Sequence, residues 1–160
     1  MKTRKRLKTA CIALTAMSLC IPLLAEVKVA LTANKIVVVN GKEQKEPGES
    51  AKPGELIEYV AEYRNTGKAP VTNVVATIPV PAGMEFVPET VQPQQVMAST
   101  DERTYAPVPL RRMVKGADGK MLEQIVPYSE YRSLRWSLGE IQGGGTKIVK
   151  ARMKVKNSGQ

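Results

Sequence analysis

The chain has 160 residues, with 24 Lys and Arg against 15 Asp and Glu, two Cys and no His. Without His, a Ser-His-Asp or Cys-His nucleophile system is excluded, and the usual zinc and copper ligands are missing. The acids are scattered and show no pair of the kind that carboxylate-only catalysis needs. We therefore expect a protein that is not an enzyme and that holds no metal or other cofactor.

The first 25 residues have the pattern of a secretory signal peptide. Basic residues crowd positions 2–8 without an acid, an apolar run occupies 10–24, and Ala25 offers a small residue for cleavage. The run is shorter than the roughly 20 residues that span a bilayer, so a retained membrane anchor is the less favoured alternative. We expect an exported bacterial protein, either periplasmic or extracellular and in the cell envelope, in which only an uncleaved signal contacts the membrane.

Removal of this segment changes the charge of the remaining chain, 26–160. Five of the 24 basic residues are lost, which leaves 19 bases against 15 acids and a net charge of +4 rather than +9. Acids dominate 26–102 and bases dominate 103–160. An exported chain whose bases lack interleaved aromatic residues is not expected to bind nucleic acid. A protein or an anionic envelope polymer is the expected partner.

Residues 26–160 are expected to form a single all-β domain. Short runs rich in Val, Ile, Thr and Tyr alternate with Pro and Gly, a pattern typical of several short strands. Segments 27–32 and 36–39 predict an opening strand in two pieces, with a kink around Asn34. The charged stretch 40–53 is expected to be a polar loop.

Period-two alternation is clearest in three later segments, 55–65, 71–78 and 146–156. Alternate side chains of a strand point to opposite faces of its sheet, so one set of each segment should enter the core. The predicted core positions are Ile57, Tyr59, Ala61, Tyr63, Val74, Ala76, Ile78, Val149, Ala151, Met153 and Val155.

A hairpin-like insertion is predicted around 107–127. Two extended runs, 108–114 and 121–126, flank the polar segment Lys115–Lys120, which contains Gly116 and Gly119. This arm is a candidate partner-binding element, and a merely decorative insertion is the alternative. Trp136 is expected in the core with the inward tyrosines, whereas the connecting segment that holds Tyr128 and Tyr131 is expected to expose both rings.

Several motifs in this order resemble the conserved-repeat domain of bacterial surface and secreted proteins, a domain of unknown function (number eleven). The resemblance covers 27–156 and implies an immunoglobulin-like β-sandwich of roughly seven to nine strands. It supplies no catalytic residue. The motifs that carry it are Pro53-Gly54-Glu55 with Tyr59, Asn65-Thr66-Gly67, 71–78, Pro81-Ala82-Gly83 with Phe86, and Trp136-Ser137-Leu138-Gly139.

The last strand presents a stripe of basic residues on its outward face: Lys150, Arg152, Lys154 and Lys156. These are the candidate contacts with an anionic partner. The alternative is edge protection, because charged side chains, lysine above all, keep an exposed strand from pairing with another chain.

The function that these features favour is an exported, non-catalytic module with a structural or binding role in the cell envelope. The alternative is a periplasmic assembly factor, similar to a chaperone, that holds partners through a strand edge.

Overall fold

The computed structural model describes residues 26–48 and 50–157, so the predicted signal peptide lies outside the described residues. The described chain is all-β, with one short 3₁₀ turn at Tyr128–Glu130. None of its segments is a helix long and apolar enough to cross a membrane. The strands are β1 Val27–Val39, β2 Lys42–Pro47, β3 Leu56–Asn65, β4 Val71–Pro79, β5 Met84–Gln92, β6 Met97–Ser99, β7 Ala106–Pro107, β8 Arg111–Lys115, β9 Met121–Ile125, β10 Ser133–Ile141 and β11 Thr146–Val155.

The strands form two open sheets and a separate hairpin. The larger sheet has five strands in the order β2-β1-β3-β11-β5, and the smaller has four in the order β4-β10-β6-β7. Strands β8 and β9 pair only with each other. The two sheets together hold nine strands, and the arrangement is consistent with a β-sandwich.

The two sheets share one apolar core. Alternation along β3, β4 and β11 directs one face of each strand toward it, as the sequence pattern predicts, and Trp136 is buried there from β10. Of the predicted core positions, Tyr59, Val74 and Val155 are only half-buried. The indole Nε1 donates to the carbonyl of Pro93, 2.9 Å away, so this buried polar atom is satisfied. Fully buried members from the larger sheet include Ala61, Phe86, Val149, Ala151 and Met153, and those from the smaller sheet include Ala76, Ile78, Ala98, Leu134 and Trp136.

The opening segment corrects two expectations. Strand β1 runs without interruption through Asn34, and β2 forms where a polar loop was expected. Asn40 and Gly41 connect β1 to β2 with φ angles of 52° and 74°, which are the values of a type I′ hairpin turn. Strand β2 is exposed along its whole length, so its charged residues need no burial to pair with β1.

Candidate functional site

The basic stripe lies on an interior strand of the larger sheet. Strand β11 pairs with β3 on one side and with β5 on the other, so the edge-protection explanation is wrong. The stripe faces away from the core, as expected. Lys154 is exposed and Lys150 half-buried, while the Lys156 ammonium donates to the carbonyl of Ser129 at 3.0 Å.

Arg152 differs from its neighbours because its charge is already matched by acids of this chain. Its guanidinium donates two hydrogen bonds to the Glu43 carboxylate, of 2.8 and 2.7 Å, and a longer one of 3.4 Å to Glu58. Lys45 forms an ion pair with the same Glu58. Three strands, β2, β3 and β11, thus contribute to one acid–base cluster on the outer face.

Glu58 is the buried member of this cluster, with a side chain only 9% exposed. Burial by itself would raise the pKa of Glu58, but hydrogen bonds and charge from Lys45 and Arg152 outweigh it, so the pKa lies below the ordinary value. The hydrogen bond from Arg152 likewise lowers the pKa of Glu43, and the same bond raises the pKa of Arg152. Glu43, Glu58 and Arg152 are therefore ionised at neutral pH.

The four basic residues of the stripe fall into two groups according to whether residues of this chain already bind their charge. Arg152 is paired with Glu43 and Glu58, and Lys156 donates to a backbone carbonyl. Lys150 and Lys154 are the two members of the stripe to which the described residues give no ion pair, and of these only Lys154 is exposed. Contact of the four residues with an anionic partner stays a prediction. Glu58, the acid that organises the cluster, was not identified from the sequence, since its alternation places it with exposed residues.

The β8–β9 arm exposes four large apolar side chains to solvent. Its register pairs Met113 with Glu123 and Lys115 with Met121, so Met113, Met121 and Ile125 share one face of the hairpin. The side chains of Met113, Met121, Leu122 and Ile125 are 51–57% exposed. An Arg111–Glu123 ion pair of 2.6 Å bridges the two strands.

The root of the arm is fixed firmly. Leu110 and Val126 are buried where the hairpin leaves the sandwich, and the Val126 N–H donates to the Leu110 carbonyl at 2.9 Å. The Leu110 N–H donates to the Tyr131 hydroxyl at 2.7 Å. The root of the arm is therefore buried and hydrogen-bonded, while the apolar side chains farther along the hairpin face solvent.

Tyr131 is wholly buried, so the expectation that it is exposed was wrong. Its ring stacks on Phe86 with centroids 5.8 Å apart, and Tyr128 meets both rings edge-on at 5.3 and 5.7 Å. Tyr128 is itself only half-exposed. Burial raises the pKa of Tyr131, which keeps its hydroxyl neutral while it accepts the bond from Leu110.

One open cleft of about 230 Å³ beside the arm root holds two acids, Asp101 and Glu130. Glu130 is bound by Arg112 through hydrogen bonds of 2.7 and 3.1 Å. Asp101 accepts bonds from the Ser99 hydroxyl and from the backbone N–H groups of Arg103 and Thr104. These bonds hold the pKa of Asp101 well below its usual range, and a carboxyl that is always ionised is unsuited to act as a general acid.

Among the described residues, no group of three or more acids and cysteines is placed to hold a metal ion. Comparison with known proteins gives no match to a family model, to a curated protein or to a solved structure.

Proposed function

We propose that the chain is an exported, non-catalytic module of the bacterial cell envelope that binds a protein partner through the β8–β9 arm. The observation that carries the proposal is the exposure of Met113, Met121, Leu122 and Ile125 on a hairpin with a buried, hydrogen-bonded root. Met is favoured at adaptable binding surfaces because its side chain is flexible and polarisable. Met113, Met121 and Ile125 lie on one face of the hairpin together with Arg111 and Glu123, while Leu122 lies on the other face. Exposed apolar side chains bordered by charge are typical of protein–protein contact sites.

Export is the part of the proposal that the first 25 residues support. A cleaved signal gives a protein that begins at Glu26, directly before β1. Mass spectrometry of the protein recovered from a bacterial envelope or periplasmic fraction tests this. An intact N terminus on a cytosolic protein would contradict it.

We further propose that the sandwich is immunoglobulin-like. Support comes from its two antiparallel sheets, from the passage of the chain between sheets at β3–β4 and β10–β11, and from the buried Trp136. The order differs from the constant-type order, in which the first and the last strand belong to different sheets. Here the last strand, β11, lies in the same sheet as the first, β1.

Site-specific photocrosslinking in intact cells tests the arm. A crosslinking residue at Met121 should give a discrete adduct with one envelope protein, whereas the same residue at Val75, also an exposed apolar position on a strand, should not. A variant with both Met113→Gln and Ile125→Gln, two positions on the same face as Met121, should lose the adduct while its circular dichroism spectrum is unchanged. Equal adducts at both positions would show non-specific contact and contradict the proposal.

The assembly-factor alternative stays a prediction. The feature that favours it is the edge of β1 along Val27–Ala33, where β3 pairs on one side and no described strand pairs on the other. Partner lifetime distinguishes the two functions. A structural module stays with its envelope partner in a pulse-chase experiment, whereas an assembly factor exchanges and is missing from the finished assembly.

A further inference from the structure

The first half of β1 has an open edge in the described structure. Strand β1 pairs with β3 along Val27–Ile36, but β2 covers its other side only from Asn34 onward. Val27–Ala33 is therefore an edge of the larger sheet. Its one charged residue is Lys28, so this edge has few of the devices that keep strands from pairing with other chains.

Two hydrogen bonds fix which backbone groups face outward. The Thr66 N–H donates to the Glu26 carbonyl at 2.8 Å, on the β3 side, and the Gly48 N–H donates to the Ala33 carbonyl at 3.1 Å, on the opposite side. Backbone direction alternates along an antiparallel strand. The N–H and C=O groups of Val27, Val29 and Leu31 consequently point away from β3, into the open edge.

The side chains of these residues face the same side of the sheet as the core. Val29 is the cross-strand partner of Tyr63, and Leu31 that of Ala61, yet the two are 56% and 49% exposed. The smaller sheet leaves this part of the larger one uncovered. An added strand would supply both the missing backbone partners and apolar neighbours.

We infer that the occupant of this edge is β1 of a second copy of the chain, paired antiparallel about Val29. Val29 then meets Val29 of the partner subunit, and Val27 meets the partner's Leu31. All of these residues point outward, so three residue pairs exchange about six N–H···O bonds. The result is one continuous sheet across a two-fold axis. The contact is isologous, which means that both copies use the same surface, as in most homodimers.

The neighbouring registers are less suitable. Pairing about Lys28 would place two lysines directly opposite each other, which is unfavourable. Pairing about Ala30 would need the carbonyl of Ala33, which already accepts from Gly48. The register about Val29 avoids both conflicts.

Charge complementarity favours a second copy as the occupant. Within one chain, Lys28 lies opposite the like-charged Arg64, while Glu62 lies opposite Ala30. Pairing about Val29 places the partner's Lys28 opposite Ala30, in one row with Glu62. The Cα atoms of Glu62 and of the partner's Lys28 are then two strand spacings apart, about 10 Å. Only the small side chain of Ala30 lies between the long side chains of these two residues.

Sedimentation equilibrium of the purified protein tests the inference. The protein should dimerise, and Val29→Pro should weaken the dimer at least about tenfold, since proline removes an outward N–H without removing a bond to β3.

The matched control is Val75→Pro, which changes an exposed valine on the edge strand β4. The bond from the Val80 N–H to the Arg132 carbonyl, 2.8 Å, implies by alternation that the Val75 N–H also points away from its neighbour. This control should dimerise like the unaltered protein.

A charge exchange tests the register and does not depend on the proline variant being folded. Lys28→Glu and Glu62→Lys should each weaken the dimer several-fold, and the double variant should restore it. A protein that stays monomeric at every concentration, or that is a dimer unaffected by Val29→Pro and by the charge exchange, would overturn the inference. So would a monomer that adds only a strand from a foreign protein at this edge.

Discussion

Glu58 is the residue whose environment departs furthest from its sequence pattern. It shares an outward face of β3 with Glu62, but its carboxylate is covered by the Lys45 and Arg152 side chains and is largely removed from water. A buried acid remains ionised only where it has cationic or hydrogen-bonding partners. The ionised form of Glu58 and the position of β2 at the edge of the larger sheet are therefore linked.

Glu58→Gln should lower the free energy of unfolding by about 1–2 kcal/mol at pH 7, the range for a lost hydrogen bond to a charged group with partly exposed partners. Because the pKa of Glu58 is lowered in the folded protein, its contribution is present above the ordinary value of 4.5 and is lost as pH falls through the folded value. The difference between variant and unaltered protein should therefore shrink in acid.

Urea unfolding at a series of pH values measures this difference. Glu102→Gln, at an exposed acid outside the cluster, is the control and should change stability by less than about 0.5 kcal/mol. A Glu58→Gln effect that grows as pH falls would show that the carboxylate is not stabilised in the folded state.

Tyr131 connects the aromatic cluster to the arm through one hydroxyl. Tyr131→Phe keeps the ring but leaves the Leu110 N–H without its acceptor, and an unsatisfied buried donor costs about 1–3 kcal/mol. Thermal unfolding and hydrogen exchange at Leu110 measure the loss. Tyr128→Phe removes the neighbouring hydroxyl without affecting Leu110 and should be nearly neutral; an equal loss in both variants would contradict the assigned role of the Leu110–Tyr131 bond.

At the scale of single elements, local pattern was a good guide where it depended on alternation. Strands β3 and β11, and β4 from Val74 onward, direct the predicted faces inward because these stretches have a period of two. At Asn73, which has a φ of 56°, the alternation of β4 is interrupted. Strand β2 was missed for an opposite reason: its charge density favoured a loop, although Asn40-Gly41 is a strong local signal for a hairpin. An exposed strand such as β2 is held by backbone pairing and needs no apolar face. Its polar composition therefore gives no alternation from which a strand could be predicted.

Gly41→Ala tests the importance of that turn. Gly41 has a φ of 74°, where an added Cβ costs about 1–2 kcal/mol. We expect faster hydrogen exchange along β2 and a weaker Arg152–Glu43 contact, with the core strands still protected. Lys42→Ala, at the next position, should leave β2 exchange unchanged. If hydrogen exchange along β2 were as slow in Gly41→Ala as in the unaltered protein, the turn would not determine the hairpin.

At the scale of the whole molecule, the sequence could predict an all-β chain but not its strand order. The position of β11 between β3 and β5 depends on pairings between residues far apart in the chain, and no local pattern encodes them. The same long-range pairings bring Glu43, Glu58 and Arg152 together from three strands. The open edge of β1 likewise becomes visible only once its neighbours are known.

The shared core predicts that both sheets unfold in a single transition. Met153 on β11 is fully buried, so Met153→Ala should cost about 2–5 kcal/mol through lost contacts and the cavity left behind. Trp136 reports on the smaller sheet, while far-ultraviolet circular dichroism reports on all strands. Since Met153 and Trp136 belong to one cluster, a change in the larger sheet should lower the midpoint of both signals equally.

Met97→Ala, at an exposed position on β6, is the control and should leave both midpoints within the experimental error. Coincidence of the two signals in every variant is the expected result for one cooperative domain. If Met153→Ala shifted the circular dichroism midpoint while Trp136 fluorescence kept its original midpoint, the sheets would be separate folding units. The cluster between them would then not couple β11 to β10 energetically, despite the complete burial of both side chains.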